Sequence, residues 1–196
     1  MNPQNPKVAI KSGQETLRSN GAKTAHTLLD FWRWNASDLL SNTIRGRLAE
    51  FIVGTAVGVD FSTPRQEWDN YDLDTPSGIK IEVKSSAYIQ SWKQNKNSSI
   101  TFGISATTAY DDDLGKREGP YQRHADIYVF CLLKHQEQET IDPLSMDQWE
   151  FYVVTTQTLN KLGDQQKISL NPLRKLAEPI TYDRLEQEIE EKYQQL

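Results

Sequence analysis

The chain has 196 residues, 37% of them apolar and 25% charged, with a formal net charge of -5 and a mean hydropathy of -0.68; this describes a polar-surfaced globule with room for one well-buried core. No apolar run approaches the roughly 20 residues of a membrane-spanning helix, and the opening stretch MNPQNPKVAIKSGQETLRSNGAK has no apolar segment of the kind that heads a secreted chain, so a cytoplasmic location is expected. One cysteine and three scattered histidines (His26, His124, His135) exclude a cysteine-built zinc site and leave oxygen ligands for any metal, which selects Mg2+, Mn2+ or Ca2+.

Residues 1–24 have no sustained periodicity and read as a polar N-terminal arm, made basic by Lys7, Lys11, Arg18 and Lys23. Residues 25–196 read as a single domain. The negative net charge opposes an anionic partner, since phosphate binding leaves a basic footprint, but much of it is concentrated in Asp183, Glu186, Glu188, Glu190 and Glu191. Helices are expected over residues 26–34 and 43–57, the second with Ile44, Leu48, Phe51, Ile52, Val53 and Val57 at helical spacing. It becomes apolar nearly all round and should pack on a sheet. Glu50 is an acid inside it, bracketed one turn either way by Gly46 and Gly54. Glycine in a helix costs about 1 kcal/mol relative to alanine, so the bracketing implies close approach of a strand or ligand; the plainer alternative pairs Glu50 with Arg47.

From Trp68 the period falls to two: WDNYDLD, a turn TPSG, then IKIEVKSS, which is the pattern of a hairpin. Further strands are expected over residues 100–104, 127–133 and 150–154, for a sheet of at least five strands. Between them, residues 107–124 contain Gly115, Gly119 and Pro120 and read as a long loop. Asp111, Asp112 and Asp113 lie in it without the ligand spacing of a calcium loop, which makes a solvated turn the expectation. Helices close the chain, one begun by Asn171 with Pro172 at its first position and one over residues 182–194. Cys131 reads as a core residue, and Trp32, Trp34, Trp92 and Trp149 are expected in the core.

In the hairpin, Ile79, Ile81 and Val83 point to one face, and Lys80, Glu82 and Lys84 to the other. A three-residue turn with Gly78 left-handed sets Thr75 against Ile79, Leu73 against Ile81, Asp74 against Lys80, Asp72 against Glu82 and Asn70 against Lys84. Facing carboxylates about 5 Å apart at Cβ repel by roughly 3 kcal/mol at an effective dielectric of ~20, and a divalent cation between them relieves that cost. A slip of two residues would instead set Asp72 against Lys80 or Lys84 in ordinary ion pairs.

Glu50 on a helix, Asp72 on one strand and Glu82-Val83-Lys84 on the next, in that order, resemble the PD-(D/E)xK nuclease superfamily over roughly residues 43–92. The resemblance implies a restriction-endonuclease-like α/β core, a central mixed β-sheet flanked by helices. It implies a metal, Mg2+ or Mn2+, on Asp72, Glu82 and the Val83 backbone carbonyl with help from Glu50, and Lys84 placing or activating the attacking water. Tyr71 stands where the family has its name-giving proline, which leaves Asp69 as a competing acid. Some branches carry an extra active-site glutamine, here Gln90. The implied activity is endonucleolytic cleavage of nucleic acid, DNA before RNA, in restriction or phage defence, and cutting both strands of a duplex implies a homodimer. Gln90, Lys93, Lys96, Arg117 and Arg123, with Lys116 and His124, are candidates to meet phosphates, the alternative for each being a plain solvated side chain, and Trp92 would stack on a base if it lies outside the core. The rival readings are an inactive nuclease-like binding or assembly subunit and a metal-dependent hydrolase of a small phosphorylated substrate.

Overall fold

The computed structural model describes residues 8–65, 70–111 and 115–196, so Lys7, Trp68, Asp69, Asp112 and Asp113 lie outside the described residues. Two compact units divide the chain, Met1–Asp38 with Asp60–Glu67 and Leu39–Val59 with Trp68–Leu196.

The first unit holds β1 (Thr16–Ser19), β2 (Ala22–Thr27) and α1 (Leu28–Ala36). The antiparallel β1–β2 pair overlaps the end of the stretch read as an aperiodic arm and runs three residues past it. Its turn places Asn20 at φ 48 and Gly21 at φ 80, positive at both central positions, as a type I′ hairpin requires. Thr27 caps α1 in a reciprocal box with Asp30, whose carboxyl is held below its ordinary range by the Thr27 N–H and hydroxyl. Trp32 and Trp34 are 38% and 82% exposed, which corrects the expectation that they sit in the core.

The second unit begins with α2 (Asn42–Ala56), capped by the Ser41 hydroxyl accepting from Ile44 N–H. Next come β3 (Leu73–Asp74), β4 (Lys80–Ala87), β5 (Thr101–Gly103), β6 (Tyr110–Asp111), β7 (Lys116–Arg117), β8 (Ile127–Leu133) and β9 (Trp149–Thr155). The chain continues through α3 (Thr156–Asn160), β10 (Lys167–Ser169), α4 (Leu170–Leu173), a 3-10 turn over Tyr182–Arg184 and α5 (Leu185–Tyr193). The central sheet runs β3-β4-β8-β9, with β4 parallel to β8 and the other pairings antiparallel. It is the expected mixed sheet with helices against it, but with four strands rather than five. β5 stands outside it and pairs with β10; that partner lies more than sixty residues away and carries no local signal of the pairing, which is why alternation alone places β5 in the central sheet.

Every residue of β8 is buried, as an interior strand with both faces covered demands. On one face Ile81, Val83, Ile127, Val129, Cys131, Phe151 and Val153 pack with Ala49, Ile52 and Val53 of α2 and Leu185 and Ile189 of α5. On the other, Tyr128, Phe130, Leu132, Tyr152 and Val154 pack with Ile100, Phe102, Ile168 and Leu173. Trp149 is buried, its indole N–H donating to the Pro143 carbonyl at 3.0 Å, whereas Trp92 is 53% exposed and outside the core. Residues 107–124 are not one open loop: β6 pairs with β7 and Thr107 bridges to Gln122. Pro172 lies inside the short α4 rather than at its first position.

Candidate functional site

The hairpin register is the expected one where the strands pair. Leu73 faces Ile81 and Asp74 faces Lys80, Thr75 N–H donates to the Ile79 carbonyl at 3.1 Å, and Gly78 takes φ 82. The slipped register is therefore not adopted. β3, however, is only two residues long, and the ladder ends where Asp72 begins. Asp72 N–H donates to the Ile81 carbonyl at 3.0 Å, and its carboxylate accepts from Val83 N–H at 2.8 Å, so the side chain takes over the edge of β4 that a longer strand would have covered. In an extended strand the N–H and C=O of one residue point the same way, which turns the Val83 carbonyl toward that edge as well. The paired register stops short of Asn70, whose side chain accepts from Tyr110 N–H at 2.6 Å and donates to the Tyr110 carbonyl at 3.3 Å.

Electrostatics ties the acids together. The Asp72 carboxyl is pushed up from 3.8 to about 7, first by burial, then by the negative charge of Glu82, then by that of Glu50, against the opposing Val83 N–H and the Lys84 ammonium. Glu50 on α2 thus acts on the same spot as the two strand residues. Lys84 Nζ donates to Glu82 Oε1 in an ion pair that is half-buried on both sides. Among the described residues no three acidic, histidine or cysteine side chains stand close enough together to form a metal-binding group. A Cβ at Gly46 would meet open space, so no described segment crowds the helix at that glycine, whereas Gly54 is buried.

Sequence reasoning passed over Arg45, which is 4% exposed. Its guanidinium donates to Ser85 Oγ at 3.0 Å, the Leu40 carbonyl at 3.1 Å, Gln90 Oε1 at 3.1 Å and Asn42 Oδ1 at 2.8 Å. These acceptors are all neutral, and burial pulls the Arg45 pKa down. Arg45 thereby pins the residue next to Lys84 and holds Gln90, whose amide also donates to the Ala87 carbonyl at 2.8 Å. An arginine one turn before an apolar stripe looks in sequence like a solvated side chain, and only the small polar partners Ser85 and Gln90 hint otherwise.

The other expected contacts are dispersed. Lys93 and Lys96 are exposed in the segment after β4. Arg117 donates to the Thr108 carbonyl at 2.8 Å, Lys116 pairs with Glu118 at 2.9 Å, and the His124 ring meets the Thr107 carbonyl at 2.9 Å. Arg123 donates to the Ile104 carbonyl at 2.8 Å, Asn160 Oδ1 at 2.8 Å and the Gln165 carbonyl at 3.3 Å. Among the described residues no helix is long and apolar enough to cross a membrane.

A family model described as bacteriophage T4 endonuclease IV matches residues 4–172, a span that takes in the whole acidic site. No curated protein matches the chain.

Proposed function

The chain belongs to the bacteriophage T4 endonuclease IV family, and on that premise we propose that it is a divalent-metal-dependent endonuclease of PD-(D/E)xK type acting on DNA, with Asp72, Glu82 and Lys84 as its catalytic residues and Glu50 in support. The observation that carries this reading is the Asp72 carboxyl, held at about 7 by burial and by two neighbouring carboxylates. Clustered negative charge along the edge of a strand is destabilising by itself and suits a cation. Asp72, Glu82 and the Val83 carbonyl would hold Mg2+ or Mn2+, with Glu50 adding charge nearby and oxygens of water or substrate completing the shell. When bound, such an ion supplies charge neutralisation at the phosphodiester and acidifies a water.

Lys84 does the remaining electrostatic work. Its ammonium, oriented by Glu82, would stabilise a phosphate oxygen or orient a water. Arg45 steadies Ser85, and with it the strand register that aims Lys84. Cutting both strands of a duplex would take two such sites, for which a homodimer is the simplest source.

The test is incubation of the purified protein with plasmid, single-stranded DNA and RNA in Mg2+, in Mn2+ and in EDTA. Cutting that needs the metal and falls about 10²–10³-fold in Lys84→Ala, the cost of losing one preorganised charge at a transition state, supports the reading. A folded Lys84→Ala variant that cuts as well as the parent overturns it. A second reading, a nuclease-like binding subunit, is favoured by the Glu82–Lys84 ion pair and the net charge of -5; it predicts DNA binding without cutting under any metal.

A further inference from the structure

From Val83 to Tyr110 the chain contains no acid, although Glu82 and Asp111 border the stretch on either side. In a protein where 27 aspartates and glutamates outnumber 22 lysines and arginines, the charges of this stretch are Lys84, Lys93 and Lys96 alone. Such a run is a local basic footprint inside an acidic chain, the pattern that meets phosphates. Lys93 and Lys96 are exposed and form no ion pair among the described residues. Trp92, next to Lys93, is 53% exposed and makes no ring contact among the described residues.

The segment that carries these side chains is tied together. Ser98 N–H donates to the Tyr88 carbonyl at 2.9 Å, which closes residues 88–98 into a compact loop of the omega kind. Gln94 staples it from within: its side-chain oxygen accepts from Gln90 N–H at 2.7 Å, and its amide donates to the Tyr88 carbonyl at 3.2 Å and to Ser98 Oγ at 2.9 Å. Ile89 is buried at the root of the loop, and Asn97 donates to Gln136 Oε1 at 2.9 Å. The loop is also fixed to the strand that bears Lys84. Gln90 Oε1 accepts from Arg45 at 3.1 Å while Arg45 Nε donates to Ser85 Oγ at 3.0 Å, so one guanidinium joins the start of the loop to the residue after Lys84. β4 ends at Ala87, three residues past Lys84. At a rise of about 3.3 Å per residue that is roughly 10 Å along the strand, or about three nucleotide steps at ~3.4 Å of axis each.

We propose that residues 90–98 form a rail for the substrate strand on one side of the scissile bond. Lys93 and Lys96 take two of its phosphates, Trp92 stacks on one of its bases whatever that base is, and Gln94 is a positioning residue that holds the three in one geometry. The inference rests on the nuclease reading for its ligand. It assigns the grip on the strand to a different segment from the hairpin that carries the chemistry, so affinity and cutting are separable.

Anisotropy of a fluorescein-labelled, mixed-sequence single-stranded DNA dodecamer, titrated with the full chain in EDTA across a salt series, tests this without requiring chemistry. The double substitution Lys93→Ala with Lys96→Ala should weaken binding and reduce the slope of log affinity against log salt by about 1.4, at about 0.7 per phosphate of a single strand. Lys175→Ala, at an exposed lysine outside the loop, should leave that slope unchanged. Trp92→Ala should weaken binding about 5- to 150-fold at the parent's slope. Gln94→Ala should weaken binding by the parent yet add nothing in a variant already lacking Trp92 and both lysines, because residues that act as a unit are not additive. Trp92, Lys93 and Lys96 are exposed, and an unchanged melting midpoint confirms folding. A parent-like slope in the double lysine variant, parent-like binding by Trp92→Ala, or a slope reduced equally by Lys175→Ala overturns the proposal. The same DNA with Mn2+ separates the two readings. Loop-dependent binding without any cutting by the parent removes the nuclease reading and keeps the rail, whereas cutting by the parent with an unaltered KM in the loop variants does the reverse.

Discussion

β4 and β8 lie side by side in one parallel register, from Ile81 beside Ile127 to Ala87 beside Leu133, yet they have opposite characters. β8 has a full-length partner on each side and all seven of its residues are buried. β4 has β8 on one side and on the other, among the described residues, only the two residues of β3, so beyond Ile81 its edge meets the Asp72 side chain. In the proposed reading, chemistry collects where the sheet is incomplete. Charged groups on β8 would be buried without water, whereas on β4 Glu82 and Lys84 keep partial exposure and can meet a substrate.

The sharpest way to break that contrast is to exchange the expected effects. Phe130→Ala in β8, at 0% exposure, should cost about 3–5 kcal/mol by leaving a cavity, read as a shift in the denaturant midpoint. Glu82→Gln, in register with Tyr128 on the neighbouring strand, should lower cutting about 10²–10³-fold while moving that midpoint little. If Phe130→Ala unfolds nothing, or Glu82→Gln unfolds the chain, the division between supporting and reacting strand fails.

Arg45 sits between the two characters, buried like the core and hydrogen-bonded like the site. Arg45→Ala leaves acceptors on Ser85, Gln90, Asn42 and Leu40 without their donor, at a cost of about 1–3 kcal/mol. It should also loosen the strand next to Lys84, so activity should fall further than stability alone explains. Equal loss in urea midpoint and in rate at low temperature would reduce Arg45 to a packing residue.

What was readable in the sequence follows the same division. The β3–β4 register was legible because turn chemistry at Gly78 and alternation in IKIEVKSS constrain each other, and together they set Asp72 near Glu82. β8 was legible from the run IYVFCLL. The pairing of β5 with β10 was not, since nothing in residues 101–103 points to residues 167–169. Arg45 escaped because burial of an arginine depends on partners contributed by other elements. The β1–β2 hairpin escaped for the opposite reason: its Asn20-Gly21 signal was present, but the flanking residues are nearly all exposed and have no apolar alternation to mark them as strands.

Asp72 gives a pH-dependent form of the contrast. Its carboxyl titrates at about 7 in the folded metal-free protein against 3.8 ordinarily, so its protonated form is the one that fits the fold. The stability it contributes is complete below 3.8 and is lost progressively as the pH rises to about 7. Metal-free protein should therefore melt lower at neutral pH than in mild acid, and Asp72→Asn should flatten that slope. A divalent ion binding at pH 6 should expel a proton, seen in calorimetry as a binding heat that changes with the buffer. A heat independent of the buffer would separate Asp72 from the cation.

The smallest expected effect belongs to the first unit, where no site is proposed. Gly21 holds φ 80 with open space around a Cβ, so Gly21→Ala meets no clash and acts through backbone strain alone. A left-handed conformation costs an L-residue about 1–2 kcal/mol, and the neighbouring Asn20 at φ 48 already carries a similar demand with a residue that tolerates it. The hairpin should open more readily, giving faster amide exchange in residues 16–27, while exchange in β8 and the rate of cutting stay at parent values. If cutting falls together with hairpin protection, the two units are coupled in function, and the site extends beyond the sheet edge where Asp72, Glu82 and Lys84 meet.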